Sequence, residues 1–313
     1  MDPPDPIEAA KRAAAIRAVA DHFDPSARYI GIGSGSTIVY VVEAIKQLNH
    51  PSTASILFVP TGYQSRQVIY RAGLRDIKYD SLPPGHLIDV AFDGADEVDE
   101  DLNCIKGGGA CLYQEKLVAT SAKKFVCVAD HRKLQSRLLS KWKTIPIEVE
   151  PLAANTVLLA LERLGSQGPV LREGAIMKAG PIKTDQDNFI IDAPFTTLLL
   201  PADLPSGQQM TTPQSKGSCV GGGVEGLGMP NGVAGRGKEG QWLVEELARE
   251  IKLIEGVLSV GLFCGVDGEE VLKQGGKTGG QKPVAAYFGM ANGDVVIRRA
   301  GEAEALVEKS KED

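Results

Sequence analysis

The sequence predicts an α/β protein: a doubly wound, mainly parallel, Rossmann-like sheet with a smaller α+β domain attached. Three observations predict it. Four short apolar runs, at 29–32, 56–59, 88–92 and 125–128, each break off abruptly into polar residues. Helical patterns separate these runs, and strands alternating with helices favour a parallel sheet whose strands are buried on both faces. Near residue 145 the pattern changes to strands joined by hairpin-like turns, which marks a second unit.

Residues 6–22 read as an alanine-rich amphipathic helix, with Ile7, Ala10, Ala14 and Ala18 spaced to face a core. Taken alone, Lys11 on this helix reads as a solvated surface charge. The strand at 29–32 runs into Gly33, Ser34, Gly35, Ser36 and Thr37, and a helix is expected to begin near Ile38. A strand, a glycine turn and a helix N-terminus form an anion cradle, in which N–H groups point at the ligand and the helix dipole favours negative charge. A nucleotide fits poorly, because no lysine precedes the Ser/Thr as in a P-loop and Ser36 stands where the dinucleotide fingerprint needs glycine. The second strand also ends in Pro60 and Thr61, with no carboxylate for a ribose. A small phosphorylated molecule fits better, with a glycine turn that serves packing alone as the competing reading. The helix expected at 64–72 carries Arg66, which reads as a surface arginine.

The stretch 88–116 carries the densest chemistry. Its strand stops at Asp93; Asp96 follows after Gly94 and Ala95; Lys106 leads into Gly107, Gly108 and Gly109; and a helical pattern follows that contains Glu115. Ligands of open α/β sheets sit outside the carboxyl ends of the strands, where this sequence places two carboxylates, an ammonium and a flexible backbone. Asp93 is equally consistent with a turn cap, and Asp96, Glu97, Asp99, Glu100 and Asp101 with a solvated acidic loop. Three consecutive glycines are costly to order and are harder to assign to a mere loop; they let successive N–H groups converge on an anion.

The motifs FDGADEVD, IKGGGACLYQEK and VADHRK, with the earlier GIGSGST, resemble ribose-5-phosphate isomerases of the A type, in the same order along the chain. The resemblance implies that Glu115 moves the proton and that Asp93, Asp96 and Lys106 line the sugar pocket. It also implies that Ser34, Gly35, Ser36 and Thr37, after Gly33, hold a phosphate together with Lys11 and Lys133. Ser34 stands where many bacterial members have threonine, which keeps the hydroxyl. The implied reaction is an aldose–ketose isomerisation through an enediolate. It needs one base and stabilised oxyanions, which Glu115 on one side and Lys106 with the N–H groups of Gly107, Gly108 and Gly109 on the other would supply. No cofactor and no metal is expected. Asp99, Glu100 and Asp101 match no catalytic position and stay with the surface reading. Two other classes use related folds. A CoA-transferase would use a glutamate as nucleophile, and a sugar-phosphate-sensing regulator would need a DNA-binding helix pair, whereas one helix precedes the first strand.

The expected division is 1–144 with 264–313 as the large catalytic domain and 145–263 as the small one, ferredoxin-like by the resemblance. The stretch at about 202–240 is rich in Gly, Ser and Pro, too poor in apolar residues to offset its ordering entropy, and reads as a surface insertion. A second glycine-rich piece at 275–282 precedes the terminal strands expected at 284–287 and 295–297. A net charge of −6 argues against a general nucleic-acid binder. Five cysteines without a C-x-x-C pair indicate neither a disulfide framework nor a zinc site, and so a cytoplasmic protein with reduced thiols. The N-terminal stretch lacks an apolar leader and no run is long enough to span a membrane, so a soluble protein is expected. The expected partner is a small-molecule sugar phosphate, and the expected assembly is a homo-oligomer, dimer or tetramer.

Overall fold

The computed structural model describes residues 5–174, 178–204 and 241–308. Its main sheet holds β1 (Tyr29–Ile32), β2 (Leu57–Pro60), β3 (Arg75–Asp76), β4 (Val90–Asp93), β7 (Phe125–Asp130), β13 (Ala285–Gly289), β14 (Val295–Arg299) and β15 (Ala305–Val307), in the spatial order β15-β14-β13-β7-β4-β1-β2-β3. The pairs from β3 to β13 are parallel and the last two are antiparallel. β1, β4 and β7 are buried at every position, as apolar runs covered on both faces require.

Helix α1 (Pro6–His22) starts at Asp5, whose carboxylate accepts the Ile7 N–H, and it buries Ala10, Ala14, Ala15, Ala18 and Val19 against the sheet. Small side chains bring this helix close to the strands. Helix α2 (Ser36–Gln47) begins two residues earlier than the apolar pattern suggests, because Gly35 serves as its N-cap and draws Ser36 and Thr37 into the first turn. The turn that the sequence marks as a loop before a helix is therefore the helix N-terminus itself. Helix α3 (Tyr63–Arg71) follows β2, and helix α4 (Leu112–Thr120) lies between β4 and β7.

A second sheet has the order β11-β8-β10-β9, formed by β8 (Ile145–Val149), β9 (Val170–Leu171), β10 (Phe189–Ala193) and β11 (Val257–Val260), all antiparallel. With α5 (Ala154–Arg163) after β8 and α6 (Val244–Lys252) before β11, this is the β-α-β-β-α-β ferredoxin-like arrangement. Its core contains Ile145, Ile147, Val157, Leu161, Ile191, Leu247 and Ile251. A small third sheet joins β5 (Glu97–Val98), β6 (Cys104–Ile105) and β12 (Leu262–Phe263). These two-residue strands, and helix α7 (Gly268–Lys273), are too short for sequence periodicity to reveal. The expected insertion lies, from residue 205 to 240, outside the described residues. No helix among the described residues is long and apolar enough to cross a membrane.

Candidate active site

The strand order reverses between β1 and β4: β1 continues to β2 on one side and β4 to β7 on the other. At such a point the chain leaving each strand end diverges and opens a crevice. Here the crevice is a cavity of about 410 Å³. The two strand ends close up because residue 33 is glycine: its N–H donates to Phe92 O at 2.8 Å, and a Cβ there would lie 1.9 Å from Asp93 Oδ1.

Three charged groups meet at the floor of the cavity. Lys106 Nζ lies 2.9 Å from Asp93 Oδ2 and 3.2 Å from Glu115 Oε2, and it donates to Gly94 O at 2.7 Å. Each of the three side chains is about 5% exposed or less. Asp93 Oδ1 accepts the N–H groups of Gly94 and Ser34, at 2.7 and 3.2 Å. Burial raises the Asp93 carboxyl above its ordinary range, against the pull of Lys106. Glu115 is pushed up to about 8, first by burial and then by Asp93. For Lys106, burial acts downward, but the carboxylates of Asp93 and Glu115 outweigh it and hold the ammonium above its ordinary value. The cluster is thus a fixed cation between two carboxylates, one of them with a proton affinity near neutrality. Glu115 Oε2 is buried and faces Lys106 Nζ without a hydrogen bond of good geometry.

Asp96 stands on the opposite wall, where its Oδ2 accepts the Gly108 N–H at 2.8 Å and burial raises its carboxyl. Gly108 N–H is therefore already engaged. Among the described residues the N–H groups of Gly107 and Gly109 have no protein acceptor. Gly107 adopts φ +103, in the left-handed region, and a Cβ there would come within 2.9 Å of Pro146 Cβ.

The anion cradle forms the open end. Ser34, Gly35, Ser36 and Thr37 line the cavity together with Lys11 and Lys133. Lys11 Nζ donates to Ser36 Oγ at 2.8 Å and to Glu8 Oε1 at 2.6 Å, and only 7% of the residue is exposed. This corrects the surface reading of Lys11: the alanine face of α1 approaches the sheet so closely that the lysine stem is covered. Ser34 Oγ pairs with Thr61 Oγ1 at 2.8 Å, and Gly35 N–H donates to Gln64 Oε1 at 2.8 Å. Lys133 Nζ sits 5.1 Å from the ring centre of Trp142.

Asp99 requires a second correction. It is fully buried; its Oδ1 accepts the N–H groups of Asp101 and Asn103, and its Oδ2 accepts Asn103 Nδ2. These bonds close the β5–β6 turn, while burial pushes the carboxyl up to about 7. Glu97 is buried as well, and it accepts the N–H groups of Leu139 and Lys141. Glu100 and Asp101 are exposed, and so is Arg66, which pairs with Asp76.

Several lining residues escape sequence reasoning. Gln64 and Asp185 line the cavity with no motif to announce them, and Arg132 lines it from within the VADHRK motif, which singled out Lys133 instead. Arg172 reaches the glycine loop from the second sheet, and Glu148 on β8 accepts the Tyr113 N–H at 2.8 Å in the first turn of α4. Arg172 carried a signal of its own: a charge directly after an apolar strand run, as at Asp93. Among the described residues no three His, Cys, Asp or Glu side chains converge as metal ligands would.

The chain matches the family model of ribose 5-phosphate isomerase A (phosphoriboisomerase A) over residues 57–208. A ribose-5-phosphate isomerase of Mycosarcoma maydis is 43% identical over 295 residues, covering 94% of this chain and 82% of its own length. One from Schizosaccharomyces pombe is 40% identical, covering 96% and 87%. Among solved structures, a D-ribose-5-phosphate isomerase in complex with phospho-erythronic acid is 27% identical with a TM-score of 0.66, covering 97% of this chain and 99% of its own. Ribose 5-phosphate isomerase A of Methanocaldococcus jannaschii is 25% identical with a TM-score of 0.64, covering 96% and 98%. The switch-point crevice, the buried lysine between two carboxylates and full-length relatives at this identity lead to one conclusion: the chain belongs to the A-type ribose-5-phosphate isomerase family.

Proposed function

We propose that this protein interconverts ribose 5-phosphate and ribulose 5-phosphate through an enediolate, within the non-oxidative reactions of pentose phosphates. The observation that carries the reading is the position of Glu115, a carboxylate with raised proton affinity beside a permanently charged ammonium on the cavity floor. Once ionised, a base of higher proton affinity removes a weakly acidic C–H proton more readily. Glu115 takes the proton from C2 of the open-chain sugar and returns it to C1. Lys106 and the free N–H of Gly109 face the oxygen on which charge develops, and their fixed orientation avoids reorganisation at the moment of transfer. Asp93 and Asp96 exchange protons with the ring and hydroxyl oxygens during furanose opening. The phosphate rests on the N-terminus of α2, with Lys11 and Lys133 as its cations, and this remote grip orients the reacting carbons.

Residues 1–144 with 264–313 form the catalytic unit in this reading and 145–263 the smaller one. The four described cysteines are free, which suits a reducing compartment such as the cytoplasm, and the assembly is a dimer or tetramer by family resemblance. The test is conversion of ribose 5-phosphate to ribulose 5-phosphate by the purified chain in deuterated water. Deuterium should enter the sugar during turnover; conversion without any exchange would point to direct hydride transfer and remove the base from the scheme.

A further inference from the structure

The glycine loop that lines the cavity is held from the other sheet. Arg172 directly follows β9, where its backbone is fixed by its N–H to Ile190 O at 2.8 Å and by the Ile182 N–H to its own carbonyl at 2.9 Å. Its side chain, 17% exposed, forks onto Asp192 of β10, with Nε to Oδ2 at 2.7 Å and Nη2 to Oδ1 at 2.6 Å. A two-pronged pair of this kind fixes the guanidinium plane as well as its position. The remaining nitrogen, Nη1, then points out of the small sheet and donates to Gly107 O at 2.9 Å and Gly108 O at 3.0 Å.

These two carbonyls determine where the neighbouring N–H groups point. In a planar trans peptide the C=O of one residue and the N–H of the next are directed oppositely. Drawing Gly107 O toward Arg172 turns the Gly108 N–H the other way, where it meets Asp96 Oδ2 at 2.8 Å. Drawing Gly108 O toward Arg172 turns the Gly109 N–H away likewise, and this N–H has no protein acceptor among the described residues. Gly107, Gly108 and Gly109 have no side chains to hold these peptide planes, and Gly107 sits in the left-handed region. The Gly107–Gly108 plane has further holds, from the Ala110 N–H to Gly107 O at 3.1 Å and from Asp96, whereas among the described residues the Gly108–Gly109 plane is held by Arg172 alone.

We infer that Arg172 is a positioning residue: through the carbonyls of Gly107 and Gly108 it aims the Gly108 N–H at Asp96 and the Gly109 N–H at the oxygen that becomes anionic. The inference rests on the proposed isomerase reading, in which that oxygen belongs to the enediolate. It gives the small sheet a part in turnover that does not involve touching substrate. Lysine is a poor substitute, because its single nitrogen cannot span a carboxylate fork and two carbonyls at once.

The test pairs Arg172→Met with Asp192→Asn, so that no uncompensated buried carboxylate remains, and compares three constants with the wild type. We expect kcat to fall at least tenfold. Inhibition by inorganic phosphate, which needs only the cradle at α2, should stay within about twofold. Affinity for phospho-erythronic acid, whose planar carboxylate resembles the enediolate, should weaken at least tenfold. A double variant with a wild-type circular dichroism spectrum, unchanged kcat and unchanged acid affinity overturns the inference. So does a parallel loss in all three constants, the mark of general loosening. Should the double variant not fold, Arg172→Lys is read on the same constants, and a wild-type kcat in that variant is equally fatal. A wild type that does not isomerise ribose 5-phosphate defeats the functional reading instead, and the acid-against-phosphate comparison still decides the role of Arg172.

Discussion

The two ends of the crevice treat charge in opposite ways. At the floor, Asp93, Lys106 and Glu115 are nearly sealed from solvent, and burial raises the proton affinity of both carboxyls. At the mouth, Gly35 and Ser36 are exposed and Thr37 is partly so, and in the proposed reading phosphate recognition falls to N–H groups, hydroxyls and a helix dipole. A phosphate brings its own charge and must be able to leave, so an open cradle suits it. A proton carrier at neutral pH must sit where its ionised form is not overly favoured, so a buried carboxylate suits it. The lysine makes the floor tolerable: without Lys106, two carboxylates would face each other with no counter-charge.

Glu115→Gln cuts this comparison most deeply. The amide keeps the shape but cannot carry the proton, so kcat should fall by at least about 10²-fold while affinity for phospho-erythronic acid stays close to wild type. Steady-state kinetics alongside an inhibition constant measures both, and a near-normal kcat would return Glu115 to a structural role. The pH profile should show the next largest effect. As the proposed base, Glu115 would work only when ionised, and its proton affinity is raised, so kcat/KM should climb about tenfold per unit as pH rises and level off near 8. That limb lies above the second ionisation of a phosphate ester, near 6. A limb near the ordinary carboxylate range of about 4.3 would mean that burial does not tune this group. At the mouth the effects should be smaller and of another kind. Lys11→Met and Lys133→Met should raise KM roughly tenfold or somewhat more with kcat nearly kept, since one charge-assisted hydrogen bond to an anion is worth about 1.5–3 kcal/mol before screening. The Lys133 effect should shrink with added salt more than that of the buried Lys11, which a KM series against ionic strength would display.

Much of this arrangement is legible in the chain itself, and what is missed is missed for physical reasons. The apolar runs of β1, β4, β7 and β8 are long enough to identify strands, and a carboxylate at the end of β4 marks the crevice. The two-residue strands β5, β6 and β12 exist only because neighbouring elements supply their partners, so nothing local announces them. Lys11 looks solvated because its burial depends on how closely a distant sheet approaches α1. Asp99 looks solvated because its three donors come from the turn it closes. Glu148 and Arg172 belong to a sheet whose relation to the crevice is tertiary, so the sequence shows their charges but not their targets.

The seat of α1 bears on the order in which the protein is made. Tyr287 on β13 donates to Asp21 Oδ2 at 2.8 Å and meets His22 Nε2 at 2.9 Å, while Arg299 on β14 reaches the same aspartate at 3.1 Å. Helix α1 is therefore docked in part by strands that leave the ribosome more than 260 residues after it. A growing chain can assemble β1, β2, β4 and β7 before the last of the contacts that seat α1, and with it Lys11 beside Ser36, are made. Until those strands emerge, a sugar phosphate in the cell finds no completed grip and lends the nascent chain little of the stabilisation that a bound ligand gives the finished fold.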